Sequence, residues 1–299
     1  MSRLARFRHV LSGVVATALS FFFVSQSHAA EAVDAQLVLA VDVSLSMSPA
    51  ELQKQRLGYA AAFTGDRVIE AIAAGKHHRI AVTYFEWSGA TLQRIVVPWM
   101  VVSTRADAEL FASQLAAIPP AGGGQTSISG ALEFASGLFR KSPYRSSRKI
   151  IDISGDGPND HGGPVNHARD AAVRRGIVIN GLPMMIRPGR PVNHRYEMAD
   201  LDQYYARCVI GGTGSFMMPV NSWSQFPTVL QRKLVLELTE RTSGVWRTEA
   251  GSNGLPVVPA AGAVRAPFDC LIGERLWLER PWKPWDHLNV WNPWVWGPH

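Results

Sequence analysis

The chain has 299 residues, 46% hydrophobic and 18% charged, with a net charge of +6 and a sequence pI near 9.6. That balance excludes a disordered chain and fits one domain of generous size with appendages. The positive excess points towards nucleic acid until it is located: Arg3, Arg6 and Arg8 all precede the first acid, Glu31. No block of Lys and Arg interleaved with aromatics remains beyond them, so a nucleic-acid partner is set aside.

Those arginines open a secretion signal over residues 1–29. An apolar run over residues 10–24 follows them, and Ser27 and Ala29 supply the small residues that a signal peptidase reads. The run falls short of the roughly 20 residues a spanning helix needs. Cleavage near Ala29 and a periplasmic or secreted protein are expected, with no transmembrane segment in the mature chain. Cys208 and Cys270 are the only cysteines. An oxidising compartment permits a bridge between them, which the sequence leaves open, and no Cys/His spacing suits zinc.

Residues 36–43 form a short, almost unbroken apolar run, as in a strand covered on both faces. Ser48, Pro49 and Glu51 then start a helix, with Ser48 as cap and Glu51 completing a capping box. Leu52, Tyr59, Ala60 and Phe63 make its apolar stripe. Residues 79–87 and 92–98 read as an antiparallel pair joined by a tight turn at Ser88, Gly89 and Ala90. Thr104 opens a helix running to Ala117, and Ile128, Leu132, Ala135 and Phe139 mark the next helical face.

Strands at residues 149–154 and 177–183 flank a helix at 165–175. A short helix at 204–208, a strand at 215–220 and a final helix at 226–239 close the pattern. This alternation predicts an α/β fold: a doubly wound, mostly parallel sheet with one antiparallel edge strand and helices on both faces. The domain spans residues 34–245. The remainder, 246–299, is a tail rich in Pro and Trp, expected to be poorly ordered because proline removes helix and ladder donors.

In such sheets, ligands bind beyond the carboxyl ends of the parallel strands. Three polar groups fall at those places: Asp42, Ser44 and Ser46 after the first strand; Thr126 in a loop after Gly122, Gly123 and Gly124; and Asp156 between Gly155 and Gly157. The alternate spacing of Asp42, Ser44 and Ser46 lets three oxygens converge from an extended turn. Thr126 and Asp156 add two more. A hard divalent ion takes oxygen ligands of this kind and keeps positions for water. Two aspartates balance the charge of Mg²⁺, and the hydroxyl-rich set favours Mg²⁺ over Mn²⁺ or Ca²⁺.

The five positions, in order and in strand-end contexts, resemble the metal-ion-dependent adhesion site of von Willebrand factor type A (VWA) domains, written Asp-x-Ser-x-Ser, then Thr, then Asp. The resemblance runs from about residue 34 to 242. A narrower likeness is to an exported bacterial subgroup described only as a domain of unknown function. It is carried by Glu86, Trp87 and Ser88, by the run from Ile153 to Asn159, by Ile179 to Pro183, and by Cys208 to Gly212. Leu45 departs from the wider pattern, standing where many type A domains carry Gly, and the tail has no counterpart. The resemblance implies a Rossmann-like fold and a metal-bridged binding module. Ser44, Ser46 and Thr126 would ligate directly and Asp42 and Asp156 through water or hydrogen bonds, while a partner protein's Asp or Glu completes the coordination.

Glu86 and Trp87 are placed at the site's rim or along the edge hairpin, and Asp160 and His161 in an outer shell or a solvated turn. Asp152 and Asn180 are expected to be satisfied across the sheet, and His77 and His78 to be exposed. No Gly-x-Ser-x-Gly elbow, His-Glu-x-x-His or Walker loop occurs. The enzymatic alternative is a metal-dependent hydrolase of phosphate or ester groups, with Asp160 or His161 as its base.

Overall fold

A computed structural model describes residues 30–186, 198, 200–239, 256–259 and 268–279. The secretion signal expected over residues 1–29 lies outside the described residues, as do residues 246–255 and 280–299 of the tail. No described helix is long and apolar enough to cross a membrane.

Strand β1 (Glu31–Ala32) is a two-residue entry that pairs in parallel with β5 (Tyr144–Arg145). The central sheet begins with β2 (Gln36–Asp42), every residue of which is buried. Helices α1 (Pro49–Phe63) and α2 (Asp66–Ala73) follow, then the β3 (Ile80–Trp87) and β4 (Gln93–Val102) hairpin, α3 (Arg105–Ala117) and α4 (Ile128–Lys141). After β5 come β6 (Lys149–Gly155), α5 (Val165–Val173) and β7 (Ile177–Pro183). The chain continues with α6 (Leu201–Tyr204), which runs into a π-turn (Tyr205–Val209), then β8 (Phe216–Met217) and α7 (Phe226–Leu238). Two elements lie in the tail: β9 (Val258–Pro259) and α8 (Ile272–Leu278).

The sheet order is β4-β3-β2-β6-β7-β8-β9. Pairing from β3 through β8 is parallel, and β4 is the antiparallel edge predicted from the tight turn. Parallel strands buried on both faces need apolar side chains on both, which explains the mostly apolar runs in β2, β3 and β7. On one face, Leu37, Leu39, Val41, Val82 and Tyr84 pack with α1, α2, α3 and α7. On the other, Val38, Ala40, Phe85, Ile151, Ile153 and Ile179 pack with α4, α5 and the α6 region. The capping box of α1 forms as expected, with Ser48 accepting from the Glu51 N–H and Glu51 accepting from that of Ser48.

Three features differ from the sequence reading. Helix α2 was not anticipated: it has no side-chain cap and runs only two turns from Gly65, so neither signal that marks longer helices was present. Two segments of the tail are part of the fold. Strand β9 pairs with β8 and so extends the sheet beyond it. Helix α8 is tied to the π-turn by a Cys208–Cys270 disulfide. Its Gly273 lies so close to the Asn159 carbonyl that a Cβ there would sit 2.0 Å from that oxygen. Proline-rich flanks conceal both segments, because local pattern cannot reveal a docking partner far along the chain.

Candidate metal centre

Parallel register brings the first and third polar groups together. Val41 of β2 is opposite Ser154 of β6, so Asp42 and the Gly155–Asp156 step leave the sheet side by side. The loops are then laced by backbone bonds. The Gly123 N–H donates to the Val43 carbonyl at 2.9 Å and the Leu45 N–H to the Gly124 carbonyl at 3.2 Å. This fastens the glycine loop onto the loop after β2. Gly124 takes φ +79, and a Cβ there would meet the Ser88 Oγ at 3.2 Å, so the approach needs glycine.

The side chains make a continuous series. The Ser44 N–H donates to Asp42 Oδ1 at 2.7 Å, Ser44 Oγ and Ser46 Oγ are 3.0 Å apart, and Ser46 Oγ donates to Asp156 Oδ1 at 2.7 Å. Asp42 and Ser44 are buried, Asp156 is half-buried and Ser46 is exposed. Thr126 is fixed through its backbone to the loop after β6: its N–H donates to Asp160 Oδ1 at 2.8 Å, and its carbonyl accepts from the Asp160 and His161 N–H groups. Four of the five residues named from sequence thus meet through hydrogen bonds, while the fifth, Thr126, bonds to Asp160 and His161, just ahead of the α4 cap Ser127.

Burial raises the Asp42 carboxyl well above the ordinary carboxylate range, and the nearby Asp156 charge adds to this. The Ser44 and Asp156 N–H groups pull the other way. Asp42 Oδ2 is buried with no hydrogen-bond partner. Two facing acids with an orphaned oxygen form an electrostatic deficit that a cation relieves. Among the described residues no three His, Cys, Asp or Glu side chains gather as a metal cluster, so a cation here must draw on hydroxyls. The donors are all hard oxygens, two of them carboxylate groups, which fits Mg²⁺ and not a thiophilic metal.

Several secondary expectations are corrected. Glu86 and Trp87 do not form the rim. Successive residues of a strand face opposite ways, so Glu86 is buried between Arg56 and Arg94 (2.6 Å to each) and Trp87 fills the core on the other face. Asp160 is not a solvated turn, since it carries the Thr126 N–H. The His161 Nδ1 accepts the Ala90 N–H at 3.0 Å. Asp152 finds its partner, Lys233, on α7 rather than across the sheet, whereas Asn180 is satisfied in both ways: its Oδ1 accepts the Phe216 N–H of the neighbouring strand β8 at 3.0 Å, and its Nδ2 donates to Glu237 of α7. His77 is half-buried, its N–H donating to Asp34, whereas His78 is exposed.

Asn159 was missed, and it organises the loop after β6. Its Oδ1 accepts the Ser129 N–H, its Nδ2 donates to Glu274 of α8 at 2.7 Å, and its N–H donates to the Tyr204 hydroxyl. The only hint was its place at the end of the Ser-Gly-Asp-Gly-Pro-Asn run.

A mostly parallel sheet, helices on both faces and oxygen-bearing loops gathered at the carboxyl ends of β2 and β6 define a doubly wound, Rossmann-like α/β domain. The chain belongs to the family described as "Protein of unknown function (DUF1194)", whose model matches residues 32–242. No curated protein matches the sequence. Among solved structures, the pilus adhesin SpaC from Lactobacillus rhamnosus GG aligns with TM-score 0.51 at 12% identity, over 69% of this chain and 31% of that one. A von Willebrand factor type A protein from Catenulispora acidiphila aligns with TM-score 0.48 at 12% identity, over 69% and 43%. Proximal thread matrix protein 1 of the mussel byssus, in a form with a zinc-occupied MIDAS motif, gives 0.48 at 15%, over 69% and 46%. The chain spans less than half the length of each. At these identities the likeness concerns the fold alone.

Proposed function

We propose that this protein is an exported binding module that grips a partner protein through a divalent cation. Asp42, Ser44, Ser46, Thr126 and Asp156 would hold the ion, with Mg²⁺ the favoured species, and an Asp or Glu of the partner would complete its coordination. The observation that carries this reading is the hydrogen-bonded series from Asp42 through Ser44 and Ser46 to Asp156, beside a buried, unpaired carboxylate oxygen. The cation would supply positive charge and a site for an incoming carboxylate. The chain's own part is to hold the Ser44 and Ser46 hydroxyls in series between both acids, with Ser46 exposed. Export is supported by the pattern of residues 1–29 and by the disulfide, which belongs to an oxidising compartment. Asp160 and His161, the candidate bases of a hydrolase, both hold backbone N–H groups.

An ion that binds only the folded state stabilises it by about 2.7 kcal/mol at roughly 100 times its dissociation constant. Thermal melting should therefore shift upward with saturating Mg²⁺ and return with EDTA. Asp42→Ala and, at the exposed position, Ser46→Ala should lose that shift while still melting cooperatively. Superimposable curves for the native chain with Mg²⁺ and with EDTA would remove the reading. Retention of an envelope partner on immobilised protein in Mg²⁺ but not in EDTA tests the bridge itself.

A further inference from the structure

One residue beneath the proposed centre belongs to no motif. Tyr205 opens the π-turn, is completely buried, and its hydroxyl has no hydrogen-bond partner. Asp42 Oδ2 is likewise buried and unpaired. The two orphaned atoms converge on one point: a Cβ placed on Gly155 would lie 2.8 Å from the Tyr205 hydroxyl and 2.9 Å from Asp42 Oδ2. Gly155 has no side chain there, so both oxygens can approach its backbone more closely than any Cβ would allow. They lie within reach of each other through a single water.

A carboxylate only accepts hydrogen bonds, and a phenol can donate one. The other oxygen of Asp42 is already taken by the Ser44 N–H at 2.7 Å. We infer that the Tyr205 hydroxyl donates to Asp42 Oδ2 through one water, and is the positioning residue that holds this acid in place under the cation. The inference rests on the proposed metal site and adds to it a residue from a different part of the chain. Partners of this kind set the orientation and basicity of the groups around a metal, and their loss typically weakens metal binding about 10- to 100-fold.

The test is calorimetric titration of Mg²⁺ alone into the purified native protein, Tyr205→Phe and Tyr204→Phe. Tyr205→Phe keeps the buried ring, so its metal-free melting should stay cooperative while its Mg²⁺ dissociation constant rises about tenfold or more. The neighbouring Tyr204, whose hydroxyl accepts the Asn159 N–H, serves as a control and should bind Mg²⁺ nearly as the native chain does. Mg²⁺ should also perturb the near-ultraviolet tyrosine spectrum of the native protein, a signal that disappears in Tyr205→Phe; a purely structural role would not produce it. Gly155→Ala, whose Cβ would crowd both oxygens, should weaken Mg²⁺ binding in the same direction. Equal Mg²⁺ affinity in Tyr205→Phe and the native chain overturns the inference and leaves the metal site standing. A native chain that takes up no Mg²⁺ overturns both.

Discussion

Lys233→Met is expected to destabilise the domain by about 3–5 kcal/mol, the usual result of leaving a buried charge without its partner. The Lys233 Nζ lies 2.6 Å from Asp152 Oδ1 and 2.5 Å from Glu237 Oε1, and all three side chains are completely buried. It also sits 5.7 Å from the centre of the Phe216 ring. Asn180 Nδ2 donates to Glu237 at 2.9 Å. This group ties α7 to β6 and β7 behind the sheet's functional edge. Urea unfolding at neutral pH measures the effect. A native midpoint in Lys233→Met would show that the lysine contributes nothing net. Asp152→Asn added to Lys233→Met should recover part of the loss, because it removes one uncompensated acid.

The same cluster sets a pH dependence. Two acids share one lysine, so one of them has an excess negative charge with no water to screen it. Burial, then the Asp152 charge, pushes Glu237 from 4.5 to about 7, against the pull of Lys233 and Asn180. The folded chain therefore retains a proton that the unfolded chain has lost. The contribution of Glu237 to stability is full below pH 4.5, declines as pH rises towards about 7, and then levels off. Glu237→Gln should flatten that part of the profile, measured as unfolding free energy at a series of pH values; an unchanged slope would assign it to another group.

Replacing Cys208 and Cys270 together by Ala is expected to lower stability by about 2–4 kcal/mol, mainly by freeing the unfolded chain. The bridge closes a loop between residues 62 apart in sequence. It also matters locally, because α8 has only seven residues, and a helix of that length does not persist without packing. Its other ties include Gly273 against Asn159, Glu274 to the Asn159 side chain and Ile272 against the core. Urea unfolding of the oxidised protein and the double variant gives the first readout, and tryptic cleavage at the exposed Arg275 gives the second. Coincident unfolding curves and unchanged cleavage would mean that packing alone seats α8.

Much of this was visible before any coordinates. The runs that became β2, β3 and β7 are apolar on both alternating faces, which restricts them to the middle of a covered sheet. Ser48 and Glu51 announce α1, and the turn from Ser88 to Ala90 announces the antiparallel edge. The five oxygen-bearing residues were recognisable because each follows a strand or enters a helix. Hidden were the polar groups that face inward. Gln55 and Arg56 lie on the buried side of α1, donating to Ser154 and Glu86, yet in sequence they look like an exposed helix surface. Asp152 and Asn180 were recognised as polar residues within strands, but their partners on α7 could not be.

The succession of strands and helices along the chain and the class of fold are carried by apolar period, capping chemistry and turn spacing, and the amino-acid sequence by itself determined them; it also singled out the five proposed oxygen donors. Which donors touch, which acid is left with an unpaired oxygen, and that Tyr205 and Asn159 stand behind the centre were decided only by the tertiary structure. The reason is physical. A hydrogen bond depends on ångström-scale distance between groups more than a hundred residues apart, as with Ser46 and Asp156. That distance is set by parallel register and by the packing of helices on both sheet faces, and no single stretch of chain encodes it.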